Sequence, residues 1–300
     1  MGFLAANTME FGISLFPTDT SASPADVAVE AEARGFCAFW VSEHSHMPVC
    51  TDFPLSKGVP REYASMLDPF VALGSVAAVT STIRLGTAIL ILPQHDPINC
   101  AKAVASIDQI SNGRLLFGIG AGWNEPELRN HGTDPDSRFK LMRERIEAMK
   151  TLWTEEVAQY HGDLVEIEPS WQWPKPVQRP HPPVFVAGAS PNVIKRVARY
   201  GDGWLPVVVP EATAISPGRM TPISDLQQMI PRLRELAAER GRPTPRVIVS
   251  GHFDGAAHAV YQDLNVESVS FRVPSEDLDA VKRALDRIEQ TIRAAGGRLA

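Results

Sequence analysis

The sequence predicts a parallel (β/α)8 barrel, and three observations carry that expectation. Short apolar runs alternate with helical patterns over almost the whole chain, giving eight strand candidates separated by helices. Two of those runs, Phe39 to His44 and Leu115 to Asn124, end abruptly in polar or glycine residues, as buried parallel strands do where they reach a site. The residues after the first strand, Phe16-Pro17-Thr18-Asp19, lack the glycine fingerprint that an open doubly wound sheet would place there.

The elements follow in order. Met9 to Leu15 is the first strand. The next helix has Ser23 as its cap, Pro24 at its first position and Gly35 just past its end. Ala38 to Val41 is the second strand. The stretch Ser42 to Leu67, broken by Pro48, Pro54, Gly58 and Pro60, is a long loop of the kind that covers or selects ligands. Asp68-Pro69 opens an apolar helix, Arg84 to Leu92 is the third strand, and Asp96-Pro97 caps a helix that stops at Asn112-Gly113. Leu115 to Gly120 is the fourth strand. Phe139, Met142, Ile146, Met149 and Trp153 recur at helical spacing.

An insertion precedes the fifth strand: Val157 to Tyr160 and Leu164 to Ile167 can pair across His161-Gly162-Asp163, and a proline-rich connector follows. Val184 to Ala187 is the fifth strand, with a helix starting at Ser190-Pro191. Gly203 to Val208 is the sixth strand. Pro210 to Pro222 is a second loop, and Leu226 to Arg240 is helical. Arg246 to Ser250 and Glu267 to Arg272 are the last two strands, and the closing helix carries Leu278, Val281, Leu285, Ile288 and Ile292 on one stripe. The chain reads as a single domain over residues 1–300, with the first eight residues as a loose extension.

Composition narrows the function. The formal charge of -6 comes without a basic stripe, which argues against nucleic acid. Cys37, Cys50 and Cys100 have neither metal-ligand spacing nor the density of a disulfide framework, so a reducing cytoplasm is the expected compartment. The start lacks a basic leader with an apolar core, and no run is long enough to cross a membrane.

Glu43 and His44 stand just past the second strand, where a histidine can exchange a proton or polarise a carbonyl. The bland alternative is a loop histidine paired with its neighbouring carboxylate. His46 could form a metal pair with His44, but no third ligand has suitable spacing, so no metal is expected. In Gly118-Ile119-Gly120-Ala121-Gly122-Trp123-Asn124, glycines allow close backbone approach to a ligand, Trp123 offers an apolar wall and Asn124 an amide for a heterocycle edge. The alternative is a glycine-rich turn with a core tryptophan. Gly188-Ala189-Ser190 leads into a helix whose first amides suit a phosphate, or form an ordinary cap.

Together these residues resemble the bacterial luciferase-like monooxygenase superfamily, and most of all its deazaflavin (coenzyme F420)-dependent oxidoreductase branch. The likeness rests on Trp40-Val41-Ser42-Glu43-His44, Arg84-Leu85-Gly86-Thr87-Ala88-Ile89, Ser111-Asn112-Gly113-Arg114-Leu115 and Gly118 to Asn124. Further on, Pro180-His181-Pro182-Pro183-Val184, Gly188-Ala189-Ser190 and Gly201-Asp202-Gly203-Trp204 add to it. The resemblance implies a cofactor ring at the C-terminal mouth, backed by a non-prolyl cis peptide at Ala88-Ile89. Thr87, Ala88, Ile89, Gly120 and Asn124 would bind the ring, and Gly188, Ala189 and Ser190 the phosphate. His44 would act as acid, base or carbonyl polariser, with Glu43 orienting it or touching the cofactor. Trp40, His46 and Trp123 would line the pocket of a small-molecule substrate.

The resemblance also implies a homodimer through helices after the second and third strands. Two departures stand out: Glu43 replaces the aspartate of many deazaflavin relatives, and Trp123 stands where the deazaflavin sugar-phosphate dehydrogenases carry a glutamate. The expected activity is hydride transfer between F420 and a small organic substrate. The alternatives are an FMN-dependent monooxygenase fed by a partner reductase, a non-catalytic flavin-binding barrel, and a metal-dependent hydrolase that would need a His/Asp cluster the sequence lacks.

Overall fold

A computed structural model describes residues 9–54, 56–211 and 220–300. Eight parallel strand positions close into a barrel. Glu10–Leu15 pairs with Ala38–Val41 (Ile13 opposite Phe39) and, on its other side, with Ser268–Arg272. Arg84–Thr87, Leu115–Gly120, Val184–Ala187 and Gly203–Leu205 follow in sequence, and Arg246–Gly251 joins Gly203–Leu205 to Ser268–Arg272.

Strand alternation sorts the core into two parts. Outward-facing Phe11, Ile13, Leu15, Phe39, Val41, Leu85, Phe117, Val184, Val186 and Val249 pack under the helices. Ala38, Trp40, Leu116, Phe185, Leu205 and Ile248 fill the barrel interior. Gly86 makes room for the Trp40 ring, because a Cβ there would stand 2.2 Å from the indole. The bottom of the barrel is tied by charge: Glu267 accepts from Arg246 Nε at 2.6 Å and from Arg84 Nη1 at 3.1 Å, and Arg84 also pairs with Glu10.

Several expectations needed correction. The third strand is not continuous from Arg84 to Leu92: it pauses at Ala88-Ile89, where the peptide bond is cis, and resumes as Leu90–Ile91. The sixth breaks into Gly203–Leu205 and Val207–Val209 because Pro206 has no N–H for the ladder. The insertion is a hairpin of Ala158–His161 and Glu166–Ser170, so its second arm lies later than expected. Buried Glu144 fixes the turn by accepting from the Leu164 amide at 2.7 Å. The fifth-strand helix starts at Asn192, with Pro191 at the cap, rather than at Ser190-Pro191. Two short helices were not foreseen: Glu125–Asn130 and Gly255–Asp263. The N-terminal extension lies outside the described residues, as does the middle of the loop from Pro210 to Pro222.

The Asn112-Gly113-Arg114 motif is structural. The Arg114 guanidinium donates to the carbonyls of Ala77, Thr80, Ile83 and Ser111 and to the Thr80 hydroxyl, which stitches the end of helix Pro69–Val79 to the third and fourth strands.

Candidate active site

The second strand delivers Ser42, Glu43 and His44 to the mouth, all three buried. His44 does not pair with its neighbour Glu43. Its Nδ1 lies 2.7 Å from Glu127 Oε2, and Glu127 is fully buried in helix Glu125–Asn130. The second Glu127 oxygen accepts from the Ser45 amide at 3.3 Å. An ionised Glu127 makes Nδ1 the protonated nitrogen, which leaves Nε2 for proton exchange with a substrate. Around the imidazole stand Tyr63 (ring centroids 5.3 Å apart) and Trp123 (5.6 Å), with Phe53 packed against both aromatics at 4.9 and 5.7 Å. Tyr63 and Phe53 come from the long loop after the second strand, so the loop and the fourth-strand end form one aromatic cup.

Glu43 has a different task. One oxygen accepts from the Ile91 amide at 2.5 Å and the other meets His95 Nε2 at 2.6 Å, so the carboxylate holds the backbone just beyond the Ala88-Ile89 bond. His95 had no signal in the sequence reading. Ser42 Oγ donates to the Ala88 carbonyl and Thr87 Oγ1 to the Gly118 carbonyl, at 2.8 and 2.7 Å. Thr87, Ala88, Ile89 and Gly120 therefore meet at one place. A Cβ at Gly118 would stand 2.0 Å from the Thr87 carbonyl oxygen, and one at Gly120 2.7 Å from Ile89 Cδ1.

Asn124 stands at the cap of helix Glu125–Asn130, with its amide engaged to the loop at Thr51 Oγ1 (3.0 Å) and Met47 Sδ (3.1 Å). Trp40 lies deeper, in the barrel interior against Phe185, and its buried Nε1 finds no hydrogen-bond partner among the described residues. His46 turns away into a surface cluster with Asn130, Ser45 and His131.

Gly188, Ala189 and Ser190 link the fifth strand to helix Asn192–Tyr200. Gly188 has φ +136°, a conformation that L side chains rarely adopt, and its carbonyl accepts from Trp204 Nε1 at 2.9 Å. Among the described residues the Ala189 and Ser190 amides make no backbone hydrogen bond, so the cradle has donors to offer a phosphate. No group of three or more His, Cys, Asp or Glu side chains among the described residues is arranged around a metal position, and no described helix is long and apolar enough to cross a membrane.

Comparison with known proteins now places the chain. The luciferase-like monooxygenase family model matches residues 9–256. The protein belongs to the luciferase-like monooxygenase family. It is 38% identical over 289 residues to an uncharacterized protein of Mycobacterium tuberculosis, covering 93% of this chain and 97% of that one. An F420-dependent glucose-6-phosphate dehydrogenase of Kineococcus radiotolerans is 33% identical over 184 residues, 60% of this chain and 51% of the relative. The oxygenase component of a flavin-dependent trigonelline monooxygenase from Acinetobacter baylyi is 34% identical over 164 residues, 54% and 41% of the two chains.

Two solved structures share the fold. One is a monooxygenase from Streptomyces bottropensis (TM-score 0.73, 23% identity, 96% of this chain and 98% of that one). The other is an F420-dependent secondary alcohol dehydrogenase in complex with an F420-acetone adduct (TM-score 0.73, 17% identity, 96% and 99%). The family thus contains relatives that use F420 and relatives that use flavin with oxygen.

Proposed function

We propose that this protein is an F420-dependent oxidoreductase acting on a small alcohol or carbonyl compound. The observation that carries the reading is the buried His44–Glu127 pair inside the cup of Phe53, Tyr63 and Trp123. The cofactor, when bound, supplies two-electron transfer to or from carbon. The protein would do the rest. His44 Nε2 gives a proton to a carbonyl oxygen as it is reduced, or takes one from an alcohol as it is oxidised, and Glu127 offsets the charge on the imidazolium. The aromatic cup keeps water from the reacting carbon.

The backbone face at Thr87 to Ile89, which packs against Gly118 and Gly120 on its other side, receives the flat ring, and Gly188, Ala189 and Ser190 receive the phosphate. Glu43, through Ile91 and His95, keeps that face in place. Exposed apolar residues on helices Pro69–Val79 and Pro97–Ile110, chiefly Val71 at 72% and Ile110 at 60%, support a homodimer through these two helices.

The test loads the protein with oxidised F420 and follows the loss of deazaflavin fluorescence over a panel of small secondary alcohols. The expected result is reduction by the native protein and none by His44→Ala, which still binds the cofactor. A second reading, an FMN-dependent monooxygenase fed by a reductase, draws on the Acinetobacter relative. Oxygen uptake with reduced FMN, and no F420 reduction, would replace the first reading with the second.

A further inference from the structure

On the outer side of the loop that carries His44, two histidines from different elements converge on one hydroxyl. Ser45 Oγ lies 2.9 Å from His46 Nδ1 and 2.7 Å from His131 Nε2. The two rings are 5.4 Å apart, and His46 Nε2 meets Asn130 Nδ2 at 2.8 Å. The proton inventory fixes a direction. An amide nitrogen can only donate, so His46 Nε2 accepts from Asn130 and His46 Nδ1 carries its proton toward Ser45. The single Ser45 proton is then given to His131 Nε2. In this arrangement each imidazole carries a single ring proton. The proposed catalytic pair makes no use of this chain, and Ser45 and His131 are open to solvent.

We infer that His46 and His131 form a two-histidine site for a borderline divalent transition cation such as Zn²⁺, which takes the place of the Ser45 hydroxyl between the two nitrogens. Two nitrogens at these distances from one oxygen are about 4.6 Å apart at a tetrahedral angle, and a tetrahedral zinc needs about 3.3 Å. Two partly exposed side chains close that gap by small rotations once the hydroxyl turns away. His46 moves its proton from Nδ1 to Nε2, and the Asn130 amide rotates so that Oδ1 accepts it. That is the outer hydrogen bond a metal-bound histidine ordinarily makes. Water completes the coordination.

The test is calorimetric titration of the untagged full-length protein with zinc chloride near neutral pH. Native protein is expected to show one site of unit stoichiometry. His131→Ala and His46→Ala should each weaken it by roughly tenfold or more, and Asn130→Ala should weaken it less. Ser45→Ala should leave it unchanged or tighter, because the hydroxyl competes with the cation. All four changes lie at the surface, and thermal melts check that the fold is kept. The inference fails if the tightest zinc site survives His131→Ala, or if Ser45→Ala weakens binding as much as loss of a histidine does. Absence of any site stronger than that of the His46/His131 double variant would also overturn it. None of these outcomes depends on the redox cofactor, so the result stands apart from the F420 reading.

Discussion

Glu127→Gln is the sharpest perturbation of the proposed mechanism. The glutamate is fully buried and spends its two oxygens on His44 Nδ1 at 2.7 Å and the Ser45 amide at 3.3 Å. Glutamine has the same shape, and its carbonyl oxygen can still accept from Nδ1. What disappears is the negative charge that stabilises an imidazolium during proton transfer, together with the weaker acceptor for the Ser45 amide, because the glutamine nitrogen can only donate. Hydrogen bonds to charged groups contribute about 1.5–3 kcal/mol and neutral ones about 0.5–1.5, so the change should cost about 1–2 kcal/mol. That corresponds to roughly 5- to 30-fold in turnover. Cofactor affinity should stay the same, because Glu127 does not contribute to the Thr87 to Ile89 face or the phosphate cradle. The assay is steady-state F420 reduction alongside a fluorescence titration of the cofactor. Wild-type turnover in the Gln variant would refute the role of the pair, and equal losses of binding and turnover would show that Glu127 acts on the cofactor instead.

Other expectations follow from the same geometry. Gly118→Ala drives a Cβ against the Thr87 carbonyl, a backbone atom, and should cost about 1–3 kcal/mol in denaturant unfolding, whereas Gly120→Ala meets only the flexible end of Ile89 and should cost less. Arg114→Lys loses most of five hydrogen bonds around the end of helix Pro69–Val79 and should destabilise by roughly 2–4 kcal/mol, read as a lower urea midpoint.

Glu267 is shifted against its own burial by Arg246 and Arg84, which hold its carboxyl below the usual range. A depressed carboxylate stabilises the fold above its unfolded pKa of about 4.3, and that contribution is lost as pH falls through the folded value. Glu267→Gln should therefore be destabilised at neutral pH, with the gap to the native protein narrowing below about pH 4. A gap that stays constant down to acid pH would contradict the pairing.

The barrel was legible because it is written in local terms. Strand runs such as Val184 to Ala187 are apolar throughout, helix starts carry Asp-Pro, and Gly35 and Gly113 sit where φ is positive. His44 was legible for the same reason: it follows a buried strand at the end where barrels place their chemistry. Its partner was not. Glu127 lies 83 residues away in Glu125-Pro126-Glu127, where nothing in the sequence marks a buried acid, and only the closed barrel buries it. The adjacency of Glu43 and His44 suggested a pair, yet consecutive residues beyond a strand face different ways, and Glu43 reaches Ile91 and His95 instead. Asn124 was read for its amide chemistry, with no means of seeing that Met47 and Thr51 fold back onto it.

The central claim is tested most directly by titrating the purified protein with oxidised F420 and, separately, with FMN, following fluorescence quenching. The account predicts tight F420 binding and FMN binding at least an order of magnitude weaker. Tight FMN binding with weak F420 binding would contradict it and make this protein a flavin-dependent oxygenase.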